Sequence, residues 1–388
     1  MTTTTTSNPL PARRLPRPPA RQQAGYLRRI LRDPQPVLDD LRDRFGPVCG
    51  LGFGPMRLAI VGDPSALREL FAMPADSFRW GHKFNVIGFV VGDGSMIVSD
   101  GADHRRRRSS VQSAFSRRRL NGWIPLIVER TDLAVDRVVA SLGRSGDVVD
   151  LYPVGRRIVL DIVVRAMFGE EVGSRAEELG ALFQRSQDYL ESPALRQLPH
   201  PVPFTRRARV RADRRALDAL IDAEIARRRA APTGDPLDVL EALVVDGALS
   251  DAEIRDQVVT LIGAGYDTTA ASLAWMLWRS ALTPGVWERL RSEADTVLGP
   301  LDGAAAAVPG TDTLAGLVFA NRVMRETLRL HPAGVIAPRE AATNLAVGGY
   351  EIAKGTLILW SAHLAGRDPA AWPDVLSFDP DRFDRLTP

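Results

Sequence analysis

The feature that most constrains the fold is a proline-free helical pattern, which runs from Ser250 to Thr283 and stops just before Pro284. Ser250 and Glu253 have the spacing of a capping box, in which each side chain bonds the backbone amide of the other residue. At 1.5 Å per residue the helix would be roughly 45–50 Å long. The sequence therefore predicts a central helix that crosses a whole domain.

The middle of this helix contains residues that weaken helices. Gly263 and Gly265 are followed by Asp267, Thr268 and Thr269. Each Gly costs about 1 kcal/mol relative to Ala, and the polar side chains compete for backbone carbonyls. The glycines alone leave two readings open, close packing against another helix or room for a ligand. A carboxylate followed by hydroxyls favours function, because that pair can deliver protons in a buried groove.

The rest of the pattern predicts a mainly α fold with small β-hairpins. Helical periodicity dominates from about 103 to 300, and hairpins are predicted in 46–64 and 348–359. Residues 1–20 are rich in Thr, Pro and Arg and predict a disordered or surface-hugging leader. Residues 21–388 lack a long linker and predict one domain. Trp275, Trp278 and Phe319 are expected in its core.

Composition excludes several classes of protein. The sequence has no apolar stretch of about 18 residues and no secretory h-region, so we expect a cytoplasmic protein without a membrane span. Cys49 is the single cysteine, which excludes an internal disulfide and any multi-cysteine metal site. A net charge of +3 is weak evidence for nucleic-acid binding. The basic stretch 203–215 also lacks the interleaved aromatic residues that stack on bases.

Three motifs resemble those of the cytochrome P450 family. Ala264-Gly265-Tyr266-Asp267-Thr268-Thr269 resembles its oxygen-activation signature on a long central helix, Glu326-Thr327-Leu328-Arg329 resembles its E-x-x-R motif, and Asp379-Pro380-Asp381-Arg382-Phe383 resembles its P-x-R-F segment. The resemblance implies a P450-like all-α fold in which Glu326, Arg329 and Arg382 form a buried network. E-x-x-R also occurs at Glu224 and Glu288, which we interpret as solvent-facing pairs.

The resemblance implies a haem cofactor that is contacted by Ala264 and whose propionates are held by His104, Arg108 and Arg339. His104 and Arg108 are four residues apart and share one helical face, whereas Arg105 to Arg107 are expected on a solvated face. Asp267 and Thr268 are implied to be the catalytic residues that hold and relay protons. The substrate pocket is expected near Ala264, with residues 84–97 as part of its roof.

The sequence departs from the family where the iron ligand is expected. The family's Cys loop follows P-x-R-F, but here only five residues follow Phe383, so the Cys loop and the last helix are missing. Cys49 has no counterpart as a ligand and is predicted to be a small buried apolar residue. We therefore expect that this chain lacks an axial metal ligand and is inactive alone. It would be either a fragment of a longer protein or a degenerate homologue.

Two classes of function follow from these observations. The first is a haem-thiolate monooxygenase, present as a fragment or truncated form, that inserts one oxygen atom from O2 into an apolar small molecule. It would receive electrons from a ferredoxin or a flavodoxin. The second is a haem-less, non-catalytic P450-like scaffold that binds a hydrophobic ligand or a partner.

Overall fold

The structure is a computed structural model that describes residues 13–54, 56–80, 86–142, 148–190, 192, 197, 203–232, 238–299 and 308–385. These residues are mostly helical with two small sheets, which confirms the predicted fold class. They form two compact units where the composition predicts one domain. The first unit comprises Met1–Phe84 and Gly334–Ser377, and the second comprises Asn85–Ala333 and Phe378–Pro388.

The first unit contains the two sheets and four helices. Its strands are β1 (Arg13–Arg14), β2 (Val48–Leu51), β3 (Leu58–Val61), β4 (Phe78–Arg79), β5 (Ala337–Ala341), β6 (Leu345–Val347), β7 (Tyr350–Ile352) and β8 (Leu357–Trp360). The strand orders are β1-β7-β6 and β2-β3-β8-β5-β4. Its helices are α1 (Ala20–Ile30), α2 (Pro34–Phe45), α3 (Pro64–Ala72) and α16 (Ala362–Ala365).

One of the two predicted hairpins is present. β2 and β3 pair antiparallel with Val48 opposite Val61, as the alternation in 46–64 predicts. The hairpin predicted within 348–359 is wrong, because β7 and β8 lie in different sheets. β7 pairs with β6 across Gly348 and Gly349, which both have positive φ, whereas β8 pairs with β3 and β5. These partners of β8 are distant in sequence, and local alternation cannot identify them.

The predicted leader is ordered over its last part. Arg13 and Arg14 pair in parallel with Tyr350 and Glu351, and Leu15 is buried in the core beside these strands. Residues 13–20 are therefore ordered, which excludes the disordered alternative for them and agrees with the surface-hugging one, while residues 1–12 lie outside the described part of the chain.

The second unit is helical. Its helices are α4 (Val86–Val91), α5 (Gly101–Ala114), α6 (Arg117–Gly122), α7 (Ile124–Ser141), α8 (Leu151–Gly173), α9 (Ala176–Leu190), α10 (Arg206–Ala230), α11 (Val239–Asp246), α12 (Asp251–Leu282), α13 (Val286–Leu298), α14 (Thr311–Ala315), α15 (Val318–Leu330) and α17 (Arg382–Arg385). A 3₁₀ turn at Met96–Val98 precedes α5.

The predicted central helix is α12, and its 32 residues begin at the predicted capping box. The Ser250 hydroxyl accepts from the Glu253 amide, and the Glu253 carboxylate accepts from the Ser250 amide at 3.0 Å. Apolar side chains of α12 pack with those of α8, α9, α10 and α11 in one core. Among the described residues, no helix is both long enough and apolar enough to cross a membrane.

Candidate functional site

The middle of α12 is a regular helix. Gly263 faces the Phe183 ring of α9, and Gly265 faces Val163 of α8. A Cβ placed on either glycine would lie 3.8 Å from that neighbour, which is ordinary van der Waals contact. An alanine would therefore fit at either position, and close packing against α8 and α9 does not by itself require the two glycines.

Asp267 is held on the side of α12 that packs against α8. Its side chain is buried, and Oδ1 accepts a hydrogen bond from the Tyr152 hydroxyl at 3.0 Å. Arg156 Nε forms an ion pair with the same oxygen at 3.0 Å, and Arg156 Nη2 donates to the Tyr266 hydroxyl at 3.2 Å. Burial raises the pKa of Tyr266. Burial also opposes the charge of Arg156, but Tyr266 and Asp267 outweigh it and raise the pKa of Arg156.

Thr268 lies in a different environment from its neighbour. Its side chain is exposed, and its hydroxyl donates to the Ala264 carbonyl at 2.8 Å. Ala264, one turn earlier, is exposed as well. The structure thus places Ala264 and Thr268 on one open face of α12. The Asp267 carboxylate contacts Tyr152 and Arg156 instead of the Thr268 hydroxyl.

The structure brings Glu326, Arg329 and Arg382 together in the second unit. Glu326 is 0% exposed, and both arginines are buried. Arg329 donates two hydrogen bonds to the carboxylate, at 2.8 and 2.7 Å, and Arg382 Nε donates one at 2.9 Å. The backbone amide of Asp379 donates a further one at 2.9 Å. The carboxylate therefore joins α15 to the segment that leads into α17.

The two other E-x-x-R matches differ from each other. Glu288 is exposed, as expected of a solvent-facing residue, and Arg291 pairs instead with Asp295. Glu224 is buried and accepts hydrogen bonds from Arg227 and Arg228. The solvent-facing interpretation of Glu224 is therefore wrong, since the fold packs α10 against its neighbours at this point.

His104 and Arg108 lie on α5, one turn apart. His104 is half-buried and Arg108 is exposed. Between them, Arg106 and Arg107 both donate to Glu253 of the α12 capping box, at 2.6 and 2.9 Å. The predicted solvated face is thus wrong for Arg107, which is half-buried. The capping-box glutamate was visible in the sequence, but its arginine partners were not, because they lie about 150 residues away.

Arg339, the third expected haem donor, lies on β5 in the first unit. Its guanidinium carbon is 5.5 Å from the Phe78 ring centroid and 5.7 Å from that of Phe71. Arg339 is half-buried. These aromatic faces hold the cation by cation–π attraction and fix its position on the strand.

The residues present fit a haem only in part. His104, Arg108 and Arg339 are cationic donors of the kind that carboxylates accept. Cys49 does not fit as the iron ligand, because it lies in β2 with 1% of its surface exposed and burial raises its pKa to about 12. Such a thiol stays protonated, whereas a metal ligand must be a thiolate.

An open cavity of about 1000 Å³ lies along the second half of α12, beyond Ala264 and Thr268. Its lining includes Trp275, Trp278 and residues at the start of α8. These tryptophans are 41% and 48% exposed, so their expected place in the core is wrong, whereas Phe319 is buried as expected. Trp275 stacks on His331 with ring centroids 3.9 Å apart.

Comparisons with known proteins agree with these features. The family profile described as Cytochrome P450 matches residues 16–387. A Mycobacterium bovis protein named "Putative cytochrome P450 139" is 35% identical over 346 residues, which are 87% of this chain and 77% of that protein. Pentalenene oxygenase of Streptomyces avermitilis is 28% identical, with 92% of this chain and 78% of that protein covered.

The fold is similar to that of solved structures. Retinoic acid-bound cyanobacterial CYP120A1 superimposes with a TM-score of 0.79 and 24% identity, over 96% of this chain and 82% of that one. A zebra fish cytochrome P450 with progesterone superimposes with a TM-score of 0.75 and 22% identity, over 90% of this chain and 84% of that one.

Proposed function

Because the chain belongs to the cytochrome P450 family, we propose that it forms the oxygen- and substrate-facing part of a haem-dependent monooxygenase. The reaction would insert one oxygen atom from O2 into an apolar small molecule. The observation that carries the proposal is the open face of α12, where Ala264 and Thr268 are exposed within the family's signature. Haem would supply the oxygen chemistry.

The chain's own residues would hold the cofactor and manage protons. His104, Arg108 and Arg339 would bind the propionates. The Thr268 hydroxyl carries a proton on the open face, where it is now donated to Ala264. Asp267 would take part in the proton relay behind this face, where the Tyr152 hydroxyl donates to it and Arg156 forms an ion pair with it. Because Asp267 is buried against α8 and Thr268 is exposed on the open face, protons would have to move between these two sides of α12 by an indirect route.

The proposed substrate is apolar, and the proposed electron donor is acidic. The name of the Streptomyces avermitilis relative, pentalenene oxygenase, supports an apolar substrate for this chain. Exposed arginines on α5 and α6, at 105, 117 and 118, would suit the acidic surface of a ferredoxin or a flavodoxin. We propose a cytoplasmic location and neither nucleic acid nor membrane as a partner.

A haem titration tests the cofactor part of the proposal. Ferric haem is added to the chain, to Arg108→Gln and to Arg291→Gln, whose arginine on α13 is similarly exposed but is not a proposed donor. We expect affinity to fall by about tenfold only for Arg108→Gln, since a hydrogen bond to a charged group contributes about 1.5–3 kcal/mol. Equal affinities of the two variants would remove Arg108 from the site.

The reduced carbon monoxide complex tests the iron ligand. We expect it to lack the red-shifted Soret band of thiolate ligation, because Cys49 is buried and neutral. A thiolate spectrum would show that Cys49 is a ligand after all.

The open cavity lined by Trp275 and Trp278 supports a second candidate, a haem-less P450-like scaffold that binds a hydrophobic ligand or a partner. If the folded chain shows no haem affinity in the same titration, the scaffold replaces the monooxygenase as the better proposal.

A further inference from the structure

A small cavity of about 200 Å³ is lined by the end of α8, the start of α9 and the middle of α10. Each of the five helices from α8 to α12 contributes a buried apolar residue to its walls, and each of these residues is at most 5% exposed: Phe168, Leu179, Ile221, Leu240 and Val258. An apolar cavity of about 150 Å³ stays free of water and can hold benzene. This cavity is therefore large enough for one ring or one branched aliphatic group.

A bend in α8 forms one side of the cavity. Gly169 has φ of 79° and lies outside helical geometry, so the turn after it, which carries Glu171 and Val172, takes its own direction. Both residues line the cavity together with Phe168. A Cβ on Gly169 would lie 3.0 Å from Asp238 Oδ2, and a positive φ is a conformation that residues other than glycine rarely adopt. A glycine is therefore needed at the bend.

The solvent-facing side of the cavity carries two arginines. Arg175 and Arg227 line the cavity, and their side chains are 48% and 51% exposed. Arg175 Nε and Nη2 donate to the exposed Glu178, and Arg227 Nη2 pairs with the exposed Glu171 at 3.0 Å. Ion pairs between exposed side chains contribute little stability, so a bound anion can compete for both cations.

The buried carboxylate in the wall is already paired. Glu224 accepts hydrogen bonds from Arg227 Nη2 and Nε at 2.7 and 2.8 Å, and from Arg228 Nε at 2.6 Å. Burial alone would raise the pKa of Glu224, but these hydrogen bonds outweigh burial and lower it. A cationic ligand would have to compete with both arginines for this carboxylate. A carboxylate ligand, in contrast, suits guanidinium groups, which only donate hydrogen bonds.

We propose that this cavity is a binding site for a small monocarboxylate with one ring or a branched aliphatic tail, of which an arylacetate is an example. The tail would fill the space between Phe168, Leu179 and Ile221, and the carboxylate would accept hydrogen bonds from Arg175 and Arg227. The lining residues differ from those of the open cavity beside Trp275. The proposal therefore depends neither on haem nor on the proposed monooxygenase activity.

Titration of the full chain with 4-fluorophenylacetate, followed by fluorine NMR and calorimetry, tests the ligand class. We expect a dissociation constant of about 0.1–1 mM. The uncharged 4-fluorophenylacetamide and the cationic 4-fluorophenethylamine should bind about tenfold more weakly or less, because hydrogen bonds between charged groups are the stronger ones. Absence of binding, or equal affinities for the acid and the amide, would overturn the proposal.

Two matched pairs of variants test the location. Ala223 on α10 is exposed and lines the cavity, whereas Ala226 is exposed on the same helix and is not among the lining residues. We expect Ala223→Phe to weaken the binding of 4-fluorophenylacetate by about tenfold or more, because the new ring occupies the cavity, and Ala226→Phe to leave it unchanged. Arg175→Gln should weaken binding by about tenfold, and Arg215→Gln, at another exposed position of α10, should not.

Equal affinities within either pair of variants would place the ligand elsewhere on the chain and overturn the proposal. If Ala223→Phe does not fold, the comparison of Arg175→Gln with Arg215→Gln decides the question, since both arginines are exposed and their replacement leaves the apolar walls intact.

Discussion

Asp267 and Thr268 are adjacent in the sequence, yet Asp267 is buried against α8 and Thr268 is exposed on the open face of α12. Successive residues of an α-helix point about 100° apart, since 3.6 residues make one turn. A carboxylate and a hydroxyl at consecutive positions can therefore belong to different surroundings. Here Asp267 serves the contact between α8 and α12, and Thr268 faces outward.

The different surroundings of Asp267 and Thr268 predict that substitutions at these two positions change the stability of the fold by different amounts. Asp267→Asn leaves Arg156 without its carboxylate partner and should lower the free energy of unfolding by about 1–3 kcal/mol. Thr268→Ala removes a local hydrogen bond at an exposed site and should change it by about 0.5 kcal/mol or less. Urea unfolding of the two variants measures the difference. Equal losses would show that the Tyr152–Arg156 contacts do not stabilise the fold.

Neutralising the carboxylate of Glu326 should destabilise the fold more than neutralising that of Glu288. Glu326→Gln leaves the buried Arg329 and Arg382 short of a counter-charge, so the free energy of unfolding should fall by about 3–5 kcal/mol. Glu288→Gln, at an exposed position with the same E-x-x-R spacing, is the matched control and should change it by about 0.5 kcal/mol or less. Chemical denaturation of both variants provides the comparison, and a similar small loss for each would contradict the network.

Glu253 should contribute stability that depends on pH. The hydrogen bond from Arg106 is the main reason that its pKa falls from 4.5 to about 2. A depressed native pKa stabilises the fold above the unfolded pKa, and this contribution is lost as the pH falls towards the native pKa. Glu253→Gln, which can keep the capping box, should therefore be less stable than the unsubstituted chain above about pH 5.

That difference should shrink between about pH 4 and about pH 2, where the native carboxylate takes up its proton. Unfolding curves of the two proteins across this range provide the test. A difference that stays constant down to the lowest pH would mean that the ion pair with Arg106 adds nothing in solution.

Cys49 should be unreactive in the folded chain. It is buried in β2 and its pKa is raised to about 12, so a thiol reagent such as Ellman's reagent should react only when the chain unfolds. Leu31→Cys supplies an exposed thiol in the same unit as a positive control. Rapid reaction of Cys49 under native conditions would show that this part of the first unit opens readily.

Gly92 and Gly101 form a matched pair for testing how closely residues 86–99 pack on α12, where the Gly94 and Met96 amides donate to Asp256 and Gln257. Both have positive φ, but only a side chain at 92 would overlap Asp256, since nothing lies within 4 Å of a Cβ at 101. Gly101→Ala should therefore cost about 1–2 kcal/mol from backbone strain alone. Gly92→Ala should cost more and should also accelerate hydrogen exchange in residues 86–99. Equal costs with unchanged exchange would count against close docking on α12.

The sequence was a good guide wherever the determining contacts are local. The capping box at Ser250, the extent of α12 and the β2–β3 hairpin all depend on residues a few positions apart, and the structure contains each of them. The motifs also identified Glu326, Arg329 and Arg382, because a shared family pattern carries information about distant contacts that periodicity lacks.

Prediction failed where distant segments decide the outcome. β7 and β8 are close in the chain, but their partners lie in different sheets. Glu224 and Glu288 share one motif, yet packing buries only the first. Arg106 and Arg107 looked like a solvated run until α5 was placed beside the start of α12, where Glu253 accepts from both.

Residue order was therefore sufficient for α12, its N-terminal cap and the family's motifs, because these depend on spacings of a few residues and on patterns shared with relatives. Tertiary packing alone decided that Asp267 pairs with α8, that Cys49 is buried in β2 and that Arg214 of α10 contacts both the Val90 carbonyl and Asp256 of α12. Such contacts depend on which surfaces are brought together and on which charges can be buried with a partner.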